Sequence, residues 1–135
     1  MVCGSSGSWA DLPLEIPITK PCEIEYDIVS WTGSSSYQLY LWDSTKTNRL
    51  FHLYRGGDGG GRTVFDTYPN YGNYTTQLAQ SCTVKIKVLT DSLELYVDGN
   101  YKVSKSYTMS SPLIMGFVCA SSRSTTYKNL KIREL

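Results

Sequence analysis

Residues 82–101, CTVKIKVLTDSLELYVDGNY, constrain the fold more than any other stretch of the chain. Cys82, Val84, Ile86 and Val88 alternate with Thr83, Lys85 and Lys87, the period-2 signature of a strand with one buried face. Asp91-Ser92 interrupts the pattern. Leu93, Leu95 and Val97 then alternate with Glu94, Tyr96 and Asp98. Asp98-Gly99 predicts a type I′ hairpin turn, which needs positive φ, a conformation Gly adopts at no steric cost. Two amphipathic strands need a second apolar surface to cover them. The rest of the chain must therefore supply a facing sheet.

The remaining segments fit that demand. Residues 1–8 are Ser/Gly-rich and read as a flexible leader, and residues 9–135 as a single domain. Pro13, Pro17 and Pro21 forbid a long helix over 9–21 and suggest an extended edge segment. Residues 23–31 predict a strand, with Cys22, Ile24, Tyr26 and Ile28 on one face and Glu23, Glu25 and Asp27 on the other. Val29 and Trp31 are also apolar, so a β-bulge is expected near Val29. Strands are further predicted over 37–42, 49–54, 63–68 and 73–79, and onward from the hairpin over 101–107. The apolar run LIMGFVCA, 113–120, suits a strand covered on both faces. The closing segment 127–135 predicts a strand with Leu130 and Ile132 inward and Lys131 and Arg133 outward. No segment keeps a helical period. Short strands with turn signals between them predict an all-β jelly-roll sandwich of two antiparallel sheets.

Charge and cysteine content narrow the function classes. A formal net charge of +1, with Lys and Arg scattered along strands, argues against a nucleic-acid partner. No apolar run approaches membrane-spanning length, so no membrane insertion is expected. Residues 1–8 hold no apolar h-region, so no signal peptide is read here. The chain works where it is made, leaves by another route, or is excerpted from a larger protein. Of the four cysteines, Cys22, Cys82 and Cys119 sit in apolar strand patterns where free thiols pack as small hydrophobes. Reduced thiols are expected, with one bridge involving these or Cys3 as the alternative. No CxxC pair is present for a zinc site, and no cofactor is implied.

The second half, through VKIKVLTDSLELYVDGNYK, LIMGFVCA and YKNLKIREL, resembles the concanavalin A-like lectin/glucanase superfamily and within it the laminin-G-like modules. The resemblance covers about 55 residues closely and the first half by strand pattern. It implies a jelly roll of the kind common in sugar-binding proteins, adhesion modules and phage tail or capsid appendages. It carries over no functional residues. The legume-lectin-like metal cluster, the galectin-like His, Asn, Arg and Trp-x-x-Glu-x-Arg pattern, and the glucanase Glu-x-Asp-x-x-Glu are all missing here.

Candidate sites therefore come from the residues themselves. Tyr40, Trp42, His52, Tyr54 and Tyr96 fall on faces opposite the clearest core positions. If strands 37–42 and 49–54 are neighbours, Tyr40, Trp42, His52 and Tyr54 form an aromatic platform. Sugar rings stack on such platforms through their apolar C–H faces while their hydroxyls find polar neighbours. The same platform could instead be core beneath the Pro-rich segment, or an oligomer interface. Glu23, Glu25 and Asp27 could act as acid and base on a glycosidic bond, or simply pair with Lys128, Lys131 and Arg133 across strands. The glycine-rich loop RGGDGGGR, 55–62, lacks the Lys-Ser/Thr of a phosphate loop. Asp58 and Asp66 could contribute to a calcium site only if backbone carbonyls complete it. Asn73-Tyr74-Thr75 matches a glycosylation sequon.

The leading expectation is a non-catalytic carbohydrate-binding or adhesion module whose partner is a glycan or cell-surface polysaccharide. It would act on an extracellular surface or a virion. The alternative is a structural virion protein, a capsid or tail decoration that oligomerises through the aromatic face. A glycoside hydrolase using the acidic row is the third.

Overall fold

A computed structural model describes residues 2–4, 10–11, 15–32, 38–45, 49–55, 62–67, 74–77, 79, 81–106, 108–109, 112–119 and 124–135. Those residues form thirteen strands: β1 (Val2–Gly4), β2 (Ala10–Asp11), β3 (Ile16–Ile18), β4 (Cys22–Thr32), β5 (Gln38–Trp42), β6 (Arg49–Arg55), β7 (Arg62–Thr67), β8 (Tyr74–Gln77), β9 (Cys82–Val88), β10 (Ser92–Val97), β11 (Asn100–Ser106), β12 (Leu113–Cys119) and β13 (Ser124–Glu134). One sheet has the order β1-β13-β4-β9-β10-β11. The other runs β2-β12-β5-β6-β7-β8, with β3 also pairing β12. Every described pairing is antiparallel.

The hairpin β9–β10–β11 has the expected alternation. Residues at odd steps of β9 are buried and those between them half-buried, and β10 repeats the pattern. Asp98 and Gly99 have φ of 49° and 76°, the type I′ signature. The Asp98 carboxylate also accepts the Thr83 amide at 2.9 Å, which ties the turn to the start of β9.

The core lies between the two sheets. Ile24, Tyr26, Ile28, Val84, Ile86, Leu93 and Leu95 enter it from the first sheet; Leu39, Leu41, Leu113, Met115 and Phe117 enter from the second. Three rings lock the layers together. Tyr26 meets Phe117 edge-on at 5.4 Å and Tyr127 at 5.9 Å, and Phe117 lies 4.7 Å from Tyr127. Such ring pairs contribute about 0.5–1.5 kcal/mol each beyond their buried area.

Cys22 and Cys82 are buried free thiols at opposite ends of the β4–β9 ladder. Burial pushes Cys22 up to about 11. Burial, joined by the nearby Asp98 and Asp27 charges, pushes Cys82 up to about 12. Both therefore stay protonated near neutral pH and act as packing groups.

Two irregularities in the β4–β13 ladder set side-chain phase. Thr126 pairs Ser30 and Tyr127 pairs Ile28, so Val29 is the extra residue of a bulge, where the apolar phase slip predicts one. Between Lys128 and Lys131 the extra residue is on β13, and Asn129 takes φ 55° there.

The closing strand departs from expectation. Thr125 and Tyr127 are its buried residues, Leu130 is half-buried, and Ile132 is 38% exposed. Ile132 pairs with the core residue Ile24, yet β1 flanks β13 only at Ser124–Thr126, so the far end of β13 is a sheet edge among the described residues. Val2–Gly4, expected within a flexible leader, pair with β13 at that near end. The Pro-rich segment supplies β2 and β3 along the edge strand position beside β12, as its composition suggests. Tyr37, Asp58, the glycines of the 55–62 loop, Pro69 to Asn73 and Ala120 to Arg123 lie outside the described residues.

Candidate glycan-binding face

The outer face of the seven-stranded sheet is built by alternation. Leu39 and Leu41 are buried in the core, so Tyr40 and Trp42 occupy the opposite face. Register carries that face across the sheet. Tyr40 pairs Gly116 on β12 and His52 on β6, and His52 pairs Asp66 on β7. The next row holds Gln38, Tyr54, Val64 and Thr75. On the other side Trp42 pairs Arg49, with Leu50 as a bulge residue. Tyr40, Trp42, His52 and Tyr54 thus share one face on adjacent strands.

The described rings there are ordered by each other. Tyr40 and Trp42 stack at 4.9 Å with 18° between their planes. Tyr40 is 9% exposed and Trp42 is half-buried. Gly116, opposite Tyr40, places no side chain beside the phenol ring. Tyr40 is almost wholly covered, so Trp42 is the ring of this pair with surface left open, and the stacking fixes its orientation.

Tyr96 is elsewhere. It lies on the outer face of the six-stranded sheet, opposite Lys85, with the whole core between it and Trp42. Its phenol donates to Glu94 Oε2 at 2.7 Å, Lys87 Nζ sits 5.2 Å from its ring centroid, and Tyr101 abuts it edge-on at 5.6 Å. Strand alternation alone marks Tyr96 as outward. It does not say which of two outward faces the residue occupies.

The acidic row is self-neutralised. Register sets Glu23 opposite Arg133 and Lys87, Glu25 opposite Lys131 and Lys85, and Asp27 opposite Lys128 and Thr83. Lys85 Nζ reaches Glu23 at 3.3 Å and Glu25 at 3.4 Å, and Lys131 reaches Glu25 at 3.4 Å. Burial alone would push Glu25 up, but the hydrogen bonds and charges of Lys85 and Lys131 outweigh it and hold the carboxyl below its usual range. Asp27 accepts Thr83 Oγ1 at 2.7 Å and Asn129 Nδ2 at 2.6 Å, and these bonds hold it low as well. A glycosidase acid must stay protonated near neutral pH. Glu25 and Asp27 are tuned the other way. Asp66 is the penultimate residue of β7, opposite His52, and Asp58 lies outside the described residues. Among the described residues no cluster of three or more His, Cys, Asp or Glu could hold a metal ion.

Asp66, Gln38 and Arg49 belong to the aromatic face by register and were not assigned to it from sequence. Their signal is the same alternation that marks Tyr40, but it becomes readable only once strand partners are known.

With two antiparallel sheets, this order and this register in place, solved structures can be compared. The chain matches a sialidase with TM-score 0.72 at 12% identity, covering 98% of this chain and 15% of that one. It matches the carbohydrate-binding module CBM66 from Bacillus subtilis with TM-score 0.64 at 14% identity, covering 98% and 95%. It matches human galectin-16 R55N with TM-score 0.65 at 14% identity, covering 95% and 99%. The fold is a jelly-roll sandwich of two antiparallel sheets, shared with these structures. No protein-family model matches the sequence, and no curated protein matches it. The jelly roll therefore spans the whole of modules such as CBM66 and galectin-16, but only a small part of the sialidase.

Proposed function

We propose that the chain is a non-catalytic carbohydrate-binding module and that the Tyr40–Trp42 face of the seven-stranded sheet holds the glycan. The observation that carries this reading is the stacked ring pair, in which half-buried Trp42 lies against the nearly covered Tyr40 on the outer side of β5, with Tyr40 in register with His52. Sugar C–H faces pack on the Trp42 plane, and the register positions of His52, Asp66 and Gln38 lie on its Tyr40 side as polar neighbours for the hydroxyls. The end-to-end match in size with CBM66 and galectin-16, one a carbohydrate-binding module by name, supports a binding role. Display on a cell surface or a virion is the matching setting.

The test is a glycan array and calorimetry on the wild type and Trp42→Ala. Binding that disappears in Trp42→Ala, without release of reducing ends from the bound polysaccharide, supports the proposal. Binding unchanged in the variant removes Trp42 from the site. A stable oligomer that dissociates on the same substitution, with no sugar bound by the wild type, would assign the face to self-assembly.

A further inference from the structure

An edge strand turns the N–H and C=O groups of every second residue away from its one neighbour, toward solvent or an incoming strand. Among the described residues, β1 covers the outer edge of β13 at Ser124–Thr126, and no strand covers it from Tyr127 to Glu134. The side chains along that open edge are sorted by face. On the outer side stand Lys128, Lys131 and Arg133, all exposed. Lys131 shares Glu25 with Lys85, whereas Lys128 and Arg133 make no ion pair with a described residue. On the inner side Leu130 is half-buried against the core and Ile132 is 38% exposed. At the bulge, where Asn129 takes φ 55° and donates through Nδ2 to Asp27 at 2.6 Å, lies a cavity of about 220 Å³ lined by Tyr127, Lys128, Asn129 and Leu130.

We infer that the open edge of β13 takes up an extended segment of another protein as an added strand, one in which acidic residues alternate with apolar ones. The backbone of the edge offers hydrogen bonds to any strand, and the side chains choose among strands. Residues directly opposite on an antiparallel pair share a face. Acidic residues of the incoming segment therefore fall beside Lys128, Lys131 and Arg133, and its apolar residues fall beside Leu130 and Ile132, with one of them in the cavity at the bulge. The uncovered stretch takes a segment of about six residues. A second copy of this chain does not meet the requirement. Pairing β13 with itself about a two-fold axis sets Lys131 and Arg133 against the same cations, and like charges opposite one another destabilise a sheet. The edge belongs to the other sheet from Trp42, so this site is independent of the glycan reading.

The experiment uses the whole chain and short labelled peptides, read by fluorescence anisotropy and by amide hydrogen exchange. The probe peptide alternates Glu and Val. One control has the same composition in two blocks, and the other alternates Lys and Val. The alternating acidic peptide should bind and slow exchange at the edge amides of 127–134, with no slowing on β5. Lys128→Gln/Arg133→Gln should weaken it about tenfold, two exposed charge contacts of about threefold each. Both positions are exposed, and a thermal melt checks that the variant is folded. Equal affinity for the blocked or the basic peptide would overturn the inference. Acidic-peptide binding that leaves exchange along β13 unchanged would overturn it as well, since that is charge attraction without an added strand. Protection of the same amides in a dimer formed without peptide would assign the edge to a second copy instead. No binding of the alternating acidic peptide would defeat the inference outright and leave the glycan reading untouched.

Discussion

On the outside of the six-stranded sheet, Lys85 bridges Glu23 and Glu25, Lys131 adds a second cation to Glu25, and Tyr96 is pinned by Glu94, Lys87 and Tyr101. On the outside of the seven-stranded sheet, Tyr40 and Trp42 stack on one another, and Arg49, His52, Asp66 and Arg62 stand at register positions around them. Both faces come from the same alternation of side chains on antiparallel strands. The first satisfies its polar groups within the molecule. The second gathers ring surface in one place, with Trp42 stacked on Tyr40. A face that has internally satisfied its charges gains little from a ligand, because any new contact must first break an existing one. A face with an ordered ring pair gains from stacking, because the ring it offers is already held in place.

The comparison breaks most easily at the two aromatic positions. Trp42→Ala should weaken glycan binding by about thirtyfold or more, the scale of an interface hot spot of about 2 kcal/mol. Tyr96→Ala should leave the same isotherm unchanged. Equal losses from both would mean that the faces are not functionally distinct.

A smaller effect sharpens the stability side. Lys85 is the described cation shared by two carboxylates, at 28% side-chain exposure. Lys85→Met should cost about 1–2 kcal/mol in urea unfolding, because Glu23 and Glu25 then lose their common partner and repel one another. Glycan affinity should not move.

The smallest effect is in acid. The carboxyls of Glu25 and Asp27 are held below their ordinary values of 4.5 and 3.8 in the folded chain. A depressed carboxyl stabilises the fold above its unfolded pKa, and that contribution is lost as pH falls through the lower folded value. Stability should therefore hold from pH 7 to about 5 with respect to these groups and fall below about pH 4. The double variant Glu25→Gln/Asp27→Asn should start less stable at pH 7 and show a shallower acid decline in thermal melts. An unaltered decline would locate the acid sensitivity in other groups.

Much of this was legible from residues alone. The hairpin over 82–101, its Asp98-Gly99 turn and the Val29 bulge follow from local patterns, because period and turn chemistry are written into adjacent residues. The positions that resisted are those where the answer depends on a distant strand. Ile132 has the phase of a core residue, yet it is 38% exposed at the end of β13 where no described strand flanks that strand's outer edge. Tyr96 has the phase of a surface residue, and its isolation from Trp42 comes from the sheet to which β10 belongs.

By itself, the sequence determined that the chain is a sandwich of antiparallel strands and, over the hairpin and β4, which side chains face inward, since a two-residue period admits only two choices per strand. Only the tertiary structure decided which outward side chains share a face. That depends on strand order and register, which long-range hydrogen bonding and the shared core select jointly. The grouping of Tyr40 and Trp42 with His52, Asp66 and Arg49, and the separation of Tyr96 from them, are properties of that assembly.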